Sequence, residues 1–156
     1  MSASDGRNER VLIVGIGNAF RSDDGVGPFV ADALAAKGLP ALVHAGDGTG
    51  LIDLFETHAA LVLVDATRSG AAPGTLVTFD AVAQKLPAEL FHYSTHRFGL
   101  AEAVETARAL GSLPQSLTVH GIEGGDFGQG MRLSDPVKAA ADALIEKLCE
   151  ISRPNG

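Results

Sequence analysis

Residues 11–27 have the sequence VLIVGIGNAFRSDDGVG, and the interpretation of the whole chain depends on this stretch. Residues 11–14 are apolar and rich in β-branched side chains, which is typical of a strand covered on both faces of a sheet. Gly15 and Gly17 permit a tight turn and close approaches that a Cβ atom would block. The stretch therefore predicts a buried strand, a glycine turn, and an acidic loop that leads into a helix.

Two adjacent carboxylates in this stretch, Asp23 and Asp24, stand directly before a helical pattern. Pro28 fits the first turn of that helix, where a missing N–H costs little. The apolar residues recur at helical spacing, at Val26, Phe29, Val30, Ala33 and Leu34. One aspartate at an N-cap, worth about 1 kcal/mol, is an ordinary structural explanation, but it leaves the second carboxylate unexplained.

A Gly-x-Gly sequence after a strand also suggests a dinucleotide site. The full fingerprint requires a third glycine three residues after the second, and that position is Phe20. The two carboxylates of the loop would in addition repel a pyrophosphate. Nucleotide binding is therefore the less favoured interpretation of this motif.

Length and composition limit the possible classes of protein. The 156 residues predict a single domain over residues 1–156, with its core at about 10–150. The net charge of -7 argues against nucleic acid as the main partner and does not impede a basic peptide. No apolar run approaches the roughly 18 residues of a membrane span, and residues 1–10 lack a signal-peptide core. The single Cys149 excludes an intramolecular disulfide and fits a reducing cytoplasm.

Four further apolar segments predict strands at residues 41–45, 60–64, 75–79 and 117–119. The short glycine-containing loop before the fourth strand leaves no room for a parallel crossover, so this strand is predicted to be an antiparallel edge strand. Helical patterns separate the other strands. The sum predicts an α/β fold, a three-layer sandwich around a mostly parallel five-stranded sheet of the phosphorylase/hydrolase-like type.

Several polar residues are candidates for helix starts. Thr49 is expected to cap the helix after the second strand, and Ser94 or Thr95 the next helix, whose apolar stripe is Leu100, Ala103, Val104 and Ala107. The last helix is predicted to begin at residues 134–136, with proline near its first position. Cys149, at the end of that helix, is interpreted as a small packing residue rather than a nucleophile.

Asp65 follows the third strand and repeats the arrangement of a buried strand followed by a carboxylate. Ligands bind outside the carboxyl ends of strands in open α/β sheets, although an aspartate bonded to loop amides is an equally ordinary explanation. His96 is expected in the first turn of a helix, where the helix dipole favours a neutral imidazole. Carboxylate and imidazole ligands suit a transition metal such as zinc or nickel in an open site.

Taken together, these motifs resemble the hydrogenase maturation endopeptidases. The resemblance extends from near residue 10 to near residue 150, and the glycine and acidic segments of the first stretch are its most specific part. The matching segments are GIGN at 15–18, SDDGVG at 22–27, VDA at 64–66, STH at 94–96 and GIEG at 121–124.

The resemblance implies that the protein removes a C-terminal extension from the large-subunit precursor of a nickel–iron hydrogenase after nickel insertion. It implies a metal-binding and catalytic trio of Asp24, Asp65 and His96, which senses nickel carried by the substrate. Some members have Glu at the position of Asp24. Polarisation by the metal or an aspartate general base can activate the hydrolytic water, and the sequence leaves both open. We expect a cytoplasmic monomer whose partner is that precursor.

Two other functions stay open at this point. One is a nickel-binding or delivery module without proteolysis, which would bind free nickel tightly, whereas a sensor of substrate-held metal would bind it weakly. The other is a nucleotide-binding α/β protein, which nucleotide-dependent thermal stabilisation would reveal.

Overall fold

The computed structural model of the chain describes residues 6–91 and 97–152, in which five strands form one sheet. The strand order is β2-β1-β3-β5-β4; the first four of these pair in parallel, and β4 lies antiparallel to β5 at the edge. This arrangement confirms the predicted sheet and its antiparallel edge strand. The strands are β1 (Leu12–Ile16), β2 (Ala41–His44), β3 (Ala60–Thr67), β4 (Leu76–Asp80) and β5 (Ser116–Glu123).

Four helices cover the two faces of the sheet, so the predicted three-layer α/β sandwich is confirmed. Helices α2 and α3 contribute to one buried apolar cluster, and α1 and α4 to a second cluster on the opposite face. Within the part of the chain that the structure describes, no helix is long and apolar enough to cross a membrane. The helices are α1 (Val26–Ala36), α2 (Gly48–Thr57), α3 (Leu100–Leu110) and α4 (Asp135–Ser152).

Strands β3 and β5 extend beyond the predicted ends at residues 64 and 119. They pair continuously from Ala60 opposite Ser116 to Thr67 opposite Glu123, so the ladder continues after the apolar runs end. The prediction placed strand ends where hydrophobicity ends, whereas backbone pairing continues through polar residues. Asp65 consequently lies inside β3 and not in the loop that follows it.

The predicted start of α2 is wrong by two residues. Asp47 is the N-cap, because its Oδ2 accepts a hydrogen bond from the Gly50 amide at 2.9 Å. Thr49 lies inside the first turn, where its hydroxyl donates to the same Oδ2 at 3.3 Å. Both side chains are plausible caps, and the aspartate stands at the position from which it reaches the third amide of the helix.

The predicted start of α3 is also wrong. The helix begins at Leu100 with Gly99 as its N-cap, and the Glu102 side chain accepts a hydrogen bond from the Gly99 amide at 3.0 Å. Ser94 and Thr95 are therefore not its caps, and its first turn does not include residue 96. Residues 92–96 lie outside the described residues.

Glycines allow α1 to lie directly against the sheet. A Cβ atom at Gly27 would overlap the carbonyl oxygens of Ile16 and Val64, and one at Gly15 would overlap the Gly27 carbonyl. Gly17 has a φ of +144°, in a region that L-residues rarely adopt. This close contact brings the start of α1, and the acidic turn before it, over the carboxyl ends of β1 and β3.

Candidate functional site

The two predicted carboxylates, Asp24 and Asp65, line one cleft at the carboxyl ends of β1, β2 and β3. The cleft has a volume of about 470 Å³. The predicted convergence of these two side chains is confirmed, whereas His96 lies outside the described residues. The remaining lining residues are Ile16, Gly17, Asn18, Ala19, Phe20, Arg21, Pro28, Val43, Ala45, Ala66 and Phe91.

Asp65 is the more deeply buried carboxyl group, with 9% of its surface exposed. Its Oδ1 accepts a hydrogen bond from the adjacent Ala66 amide at 2.8 Å. Burial raises the pKa of Asp65 well above its usual value, and the nearby charge of Asp24 raises it further. Ionising both groups in this cleft is therefore unfavourable unless a cation or a shared proton compensates the charge.

Asp24 is half-buried and belongs to the short 3-10 turn Ser22–Gly25 that precedes α1. Burial raises the pKa of Asp24, and this effect outweighs the opposing hydrogen bond from the Asn18 amide and the charge of Arg21. The Asn18 amide donates to Oδ2 at 2.9 Å, which fixes the carboxylate against the glycine turn. The cleft thus holds two carboxyl groups that both resist ionisation.

Asp23 points away from the cleft and is fully buried. It accepts backbone hydrogen bonds from Gly125 at 2.8 Å, Asp126 at 2.9 Å and Ser134 at 2.8 Å, and a fourth from the Ser134 hydroxyl at 2.8 Å. Burial alone would raise the pKa of Asp23, but these donors outweigh it and lower the pKa. The two adjacent aspartates therefore differ in their surroundings, because Asp23 binds loop amides while Asp24 lines the cleft.

Ser22, like Asp23, binds the acidic turn to the loop of residues 124–134, which joins β5 to α4. The Ser22 amide donates to the Gly130 carbonyl at 2.8 Å, and the Ser22 hydroxyl donates to the Gly128 carbonyl at 3.0 Å. Ser22 has a φ of 51°, a left-handed conformation that is uncommon for a residue with a Cβ atom. The acidic turn therefore takes its shape from the β5–α4 loop.

Asp23→Asn is expected to lower the free energy of unfolding by about 3 kcal/mol, because at least one buried N–H donor loses its acceptor. Urea unfolding measures the change. Asp142→Asn, which removes a charge from an exposed pair with Lys138, is the matched control and is expected to change stability by less than about 0.5 kcal/mol. Equal stability of the two variants would contradict the structural role of Asp23.

Sequence reasoning missed two residues of this region. Arg21 lines the cleft and its charge opposes the rise in the pKa of Asp24. The sequence offers one indication of this role, because Arg21 is the one basic residue in residues 11–27. Glu123 is buried and accepts hydrogen bonds from Thr67, Ser69 and Gly70, so it orders the loop after β3.

Among the described residues, no group of three His, Cys, Asp or Glu side chains is arranged to hold a metal ion. None of the described histidines lines the cleft. His44 accepts a hydrogen bond from the Gly46 amide at 2.8 Å, and His58 is near the Leu54 carbonyl at the end of α2. His120 is buried, and this burial together with the charge of Lys147 lowers its pKa to about 4. A three-ligand centre therefore requires a residue outside the described ranges.

The fold and the site define an α/β protein whose cleft is formed by paired carboxyl groups at the switch between strands. A family model described as hydrogenase maturation protease matches residues 31–151. The matched range contains Asp65 and His96 and begins after Asp24. This chain belongs to the hydrogenase maturation protease family.

Individual relatives agree with the family model. The hydrogenase expression/formation protein HupD of Rhodobacter capsulatus is 35% identical over 134 residues, covering 80% of this chain, and this chain spans 63% of that relative's length. The hydrogenase 2 maturation protease of Escherichia coli is 29% identical over 154 residues, covering 94% of this chain and 93% of that protein. The structure of the [NiFe] hydrogenase maturation protease HybD of Thermococcus kodakarensis matches with a TM-score of 0.73 and 30% identity, covering 92% of this chain and 99% of that one.

Proposed function

We propose that the protein is an endopeptidase that removes the C-terminal extension of a nickel–iron hydrogenase large-subunit precursor after nickel insertion. In this proposal, Asp24, Asp65 and His96 bind the nickel ion that the precursor carries. The ion is part of the substrate, so the enzyme senses whether metal insertion is complete. The observation that carries the proposal is the pair of carboxyl groups in one cleft, in a chain of this family.

The electrostatics of the cleft support a role in binding a cation. Asp24 and Asp65 both have raised pKa values, and the charge of Asp24 contributes to the rise at Asp65. A divalent cation between the two groups would remove this repulsion, and carboxylate oxygens are suitable ligands for nickel. The family proposal supplies the third ligand, His96. Phe91, which lies five residues before His96 in the sequence, lines the cleft.

The same carboxyl groups are suited to hydrolysis. A general base is most effective when its pKa is close to the working pH, and burial moves both aspartates in that direction. Substrate nickel, when bound, supplies Lewis-acid polarisation of the scissile carbonyl or the water. Each carboxyl group is fixed at one oxygen by a backbone amide, Asp24 by that of Asn18 and Asp65 by that of Ala66, so both aspartates are held in position for this role.

The proposal predicts cleavage that depends on nickel in the substrate. Incubation with nickel-loaded precursor is expected to release a C-terminal peptide, whereas nickel-free precursor is expected to stay intact, because only the loaded form offers the cation that the carboxyl pair binds. Mass spectrometry of the precursor measures the loss. Equal cleavage of both forms would exclude nickel sensing.

Two control measurements separate this proposal from the alternatives. Serine- or thiol-directed reagents are expected to leave cleavage unchanged, because the described part of the cleft contains no serine or cysteine side chain. Free nickel is expected to bind weakly in equilibrium dialysis. Tight binding of free nickel without cleavage would instead support a delivery module.

A further inference from the structure

The free edge of β2 continues directly into the acidic cleft. Within residues 6–91 and 97–152, strand β2 ends the sheet, with β1 on one side only. The amides of Ile13 and Gly17 in and after β1 donate to the carbonyls of Pro40 and His44, at 3.0 and 3.1 Å. In a parallel strand, the backbone N–H and C=O groups of successive residues point alternately toward one side of the strand and toward the other. Since Pro40 and His44 face β1, Val43 lies at an alternate position and directs its N–H and C=O away from β1.

By the same alternation, the backbone N–H and C=O groups of Ala41 also point away from β1. The edge thus offers two N–H donors and two C=O acceptors, which is enough to pair with an extended segment of about four residues. Leu42 is 36% exposed and Val43 is 46% exposed, so the side chains of the strand are also accessible. Charged residues, proline and bulges commonly protect edge strands from pairing, and none of these lies within β2, which has the sequence ALVH. Pro40 precedes the strand, and the strand's length of four residues limits pairing to a short segment.

The opposite edge of the sheet lacks this relation to the site. Strand β4 is the other edge strand and has exposed residues such as Leu76, but none of its residues lines the cleft. Val43 of β2 lines the cleft together with Asp24 and Asp65. A polypeptide that reaches these carboxyl groups from the β2 side must therefore pass along the unpaired edge.

We propose that the substrate's C-terminal segment binds to β2 as an added strand, with Val43 as the central pairing residue. This inference rests on the proposed function and adds the way in which the substrate is held. Main-chain hydrogen bonds would supply affinity with little dependence on sequence, and the neighbouring apolar side chains would favour apolar or β-branched substrate residues. An extended backbone would present its peptide bonds to the cleft in a fixed orientation.

A second copy of the chain is a less suitable occupant. The exposed part of β2 is only four residues long, which is too short to bury the more than about 1,000 Å² that a stable interface requires. Each copy also carries a net charge of -7, so pairing two edges beside two acidic clefts is electrostatically unfavourable. A substrate segment has to enter the cleft in any case, and the edge lies along its path.

Val43→Pro tests the pairing directly, because proline removes the outward N–H and leaves the groups that pair with β1 intact. The variant is expected to raise the KM for nickel-loaded precursor about tenfold with little change in kcat. The reason is that the lost hydrogen bond would stabilise the bound substrate and the transition state equally. Leu76→Pro, at an outward-directed position of β4, is the matched control and is expected to keep the wild-type KM. Val43→Ala, which keeps the N–H, separates the backbone effect from the side chain and is expected to change KM less than Val43→Pro.

Amide hydrogen exchange provides a measurement that does not depend on how the variants fold. In the wild-type protein, a synthetic peptide spanning the precursor's C-terminal extension is expected to slow exchange at the Val43 amide and not at the Leu76 amide. Unchanged Val43 exchange, or a wild-type KM in a folded Val43→Pro protein, would overturn the inference while cleavage itself upheld the proposed function. Slowing at Val43 that depends on protein concentration without peptide would identify a second copy and would also overturn it. If the wild-type protein cleaves no precursor, the proposed function fails, and the exchange measurement still decides whether β2 pairs with the peptide.

Discussion

Asp65→Asn is expected to reduce cleavage of nickel-loaded precursor by at least about a thousandfold while the fold is retained. The substitution keeps the size of the side chain and an oxygen for the Ala66 amide, but it removes the charge that a divalent ion requires. Since burial raises the pKa of Asp65, removing its charge relieves a desolvation cost. The melting temperature is therefore expected to stay the same or rise. Single-turnover cleavage and thermal melts on the same preparation measure both effects.

Asp24→Asn is expected to lose activity to the same degree, and the proposed trio predicts the same for His96→Ala. Asp23→Asn serves as the control, because it is equally acidic in sequence but binds the β5–α4 loop instead of lining the cleft. The pattern of activity loss with retained stability should separate Asp24 from Asp23. An inactive Asp23→Asn beside an active Asp24→Asn would show that the assignment of the first motif is off by one residue.

Gly27→Ala is expected to destabilise the protein by at least about 3 kcal/mol, or to prevent folding. A methyl group there would overlap the carbonyl oxygens of Ile16 and Val64, which belong to the sheet and cannot move without breaking strand pairing. Helix α1 would have to shift away from β1 and β3. Urea unfolding or soluble yield measures the loss.

Gly128→Ala is the matched control for this substitution. A Cβ atom at Gly128 would meet one side-chain oxygen, of Asp126, at 3.3 Å, so the change in stability is expected to stay within about 1 kcal/mol. A Gly27→Ala protein as stable as Gly128→Ala would mean that α1 does not lie as closely on the sheet as described.

The fold could be predicted because hydrophobic period and connection length both depend on local sequence. The antiparallel orientation of the edge strand β4, for example, could be predicted from the short loop before it alone. The site could be predicted in part, because the carboxyl ends of parallel strands meet at one edge and bring Asp24 and Asp65 together. The metal-binding and catalytic roles of Asp24, Asp65 and His96 stay predictions, as do the cytoplasmic location and the monomeric state.

The failures have a common physical origin, because each outcome depends on contacts or chain geometry that the local sequence pattern does not contain. Thr49 and Asp47 are both suitable caps, and the choice depends on where the chain leaves β2. The end of β3 depends on pairing with β5, more than 50 positions later in the chain, which no local pattern contains. The contact between Asp23 and Ser134 is equally nonlocal, so a sequence window around the acidic motif reveals the charge but not its partner.

The long sequence separation of the Asp23 contacts has a consequence for biosynthesis. Its donors lie 102 to 111 positions later in the chain, in the loop that follows β5. A nascent chain that has emerged from the ribosome only through β3 already contains Asp24 and Asp65, but its acidic turn still lacks the hydrogen bonds of Asp23 and Ser22 to the β5–α4 loop. The contacts between the acidic turn and this loop therefore form only after β5 and the loop have been translated, and a product interrupted before β5 would carry both acidic residues without them.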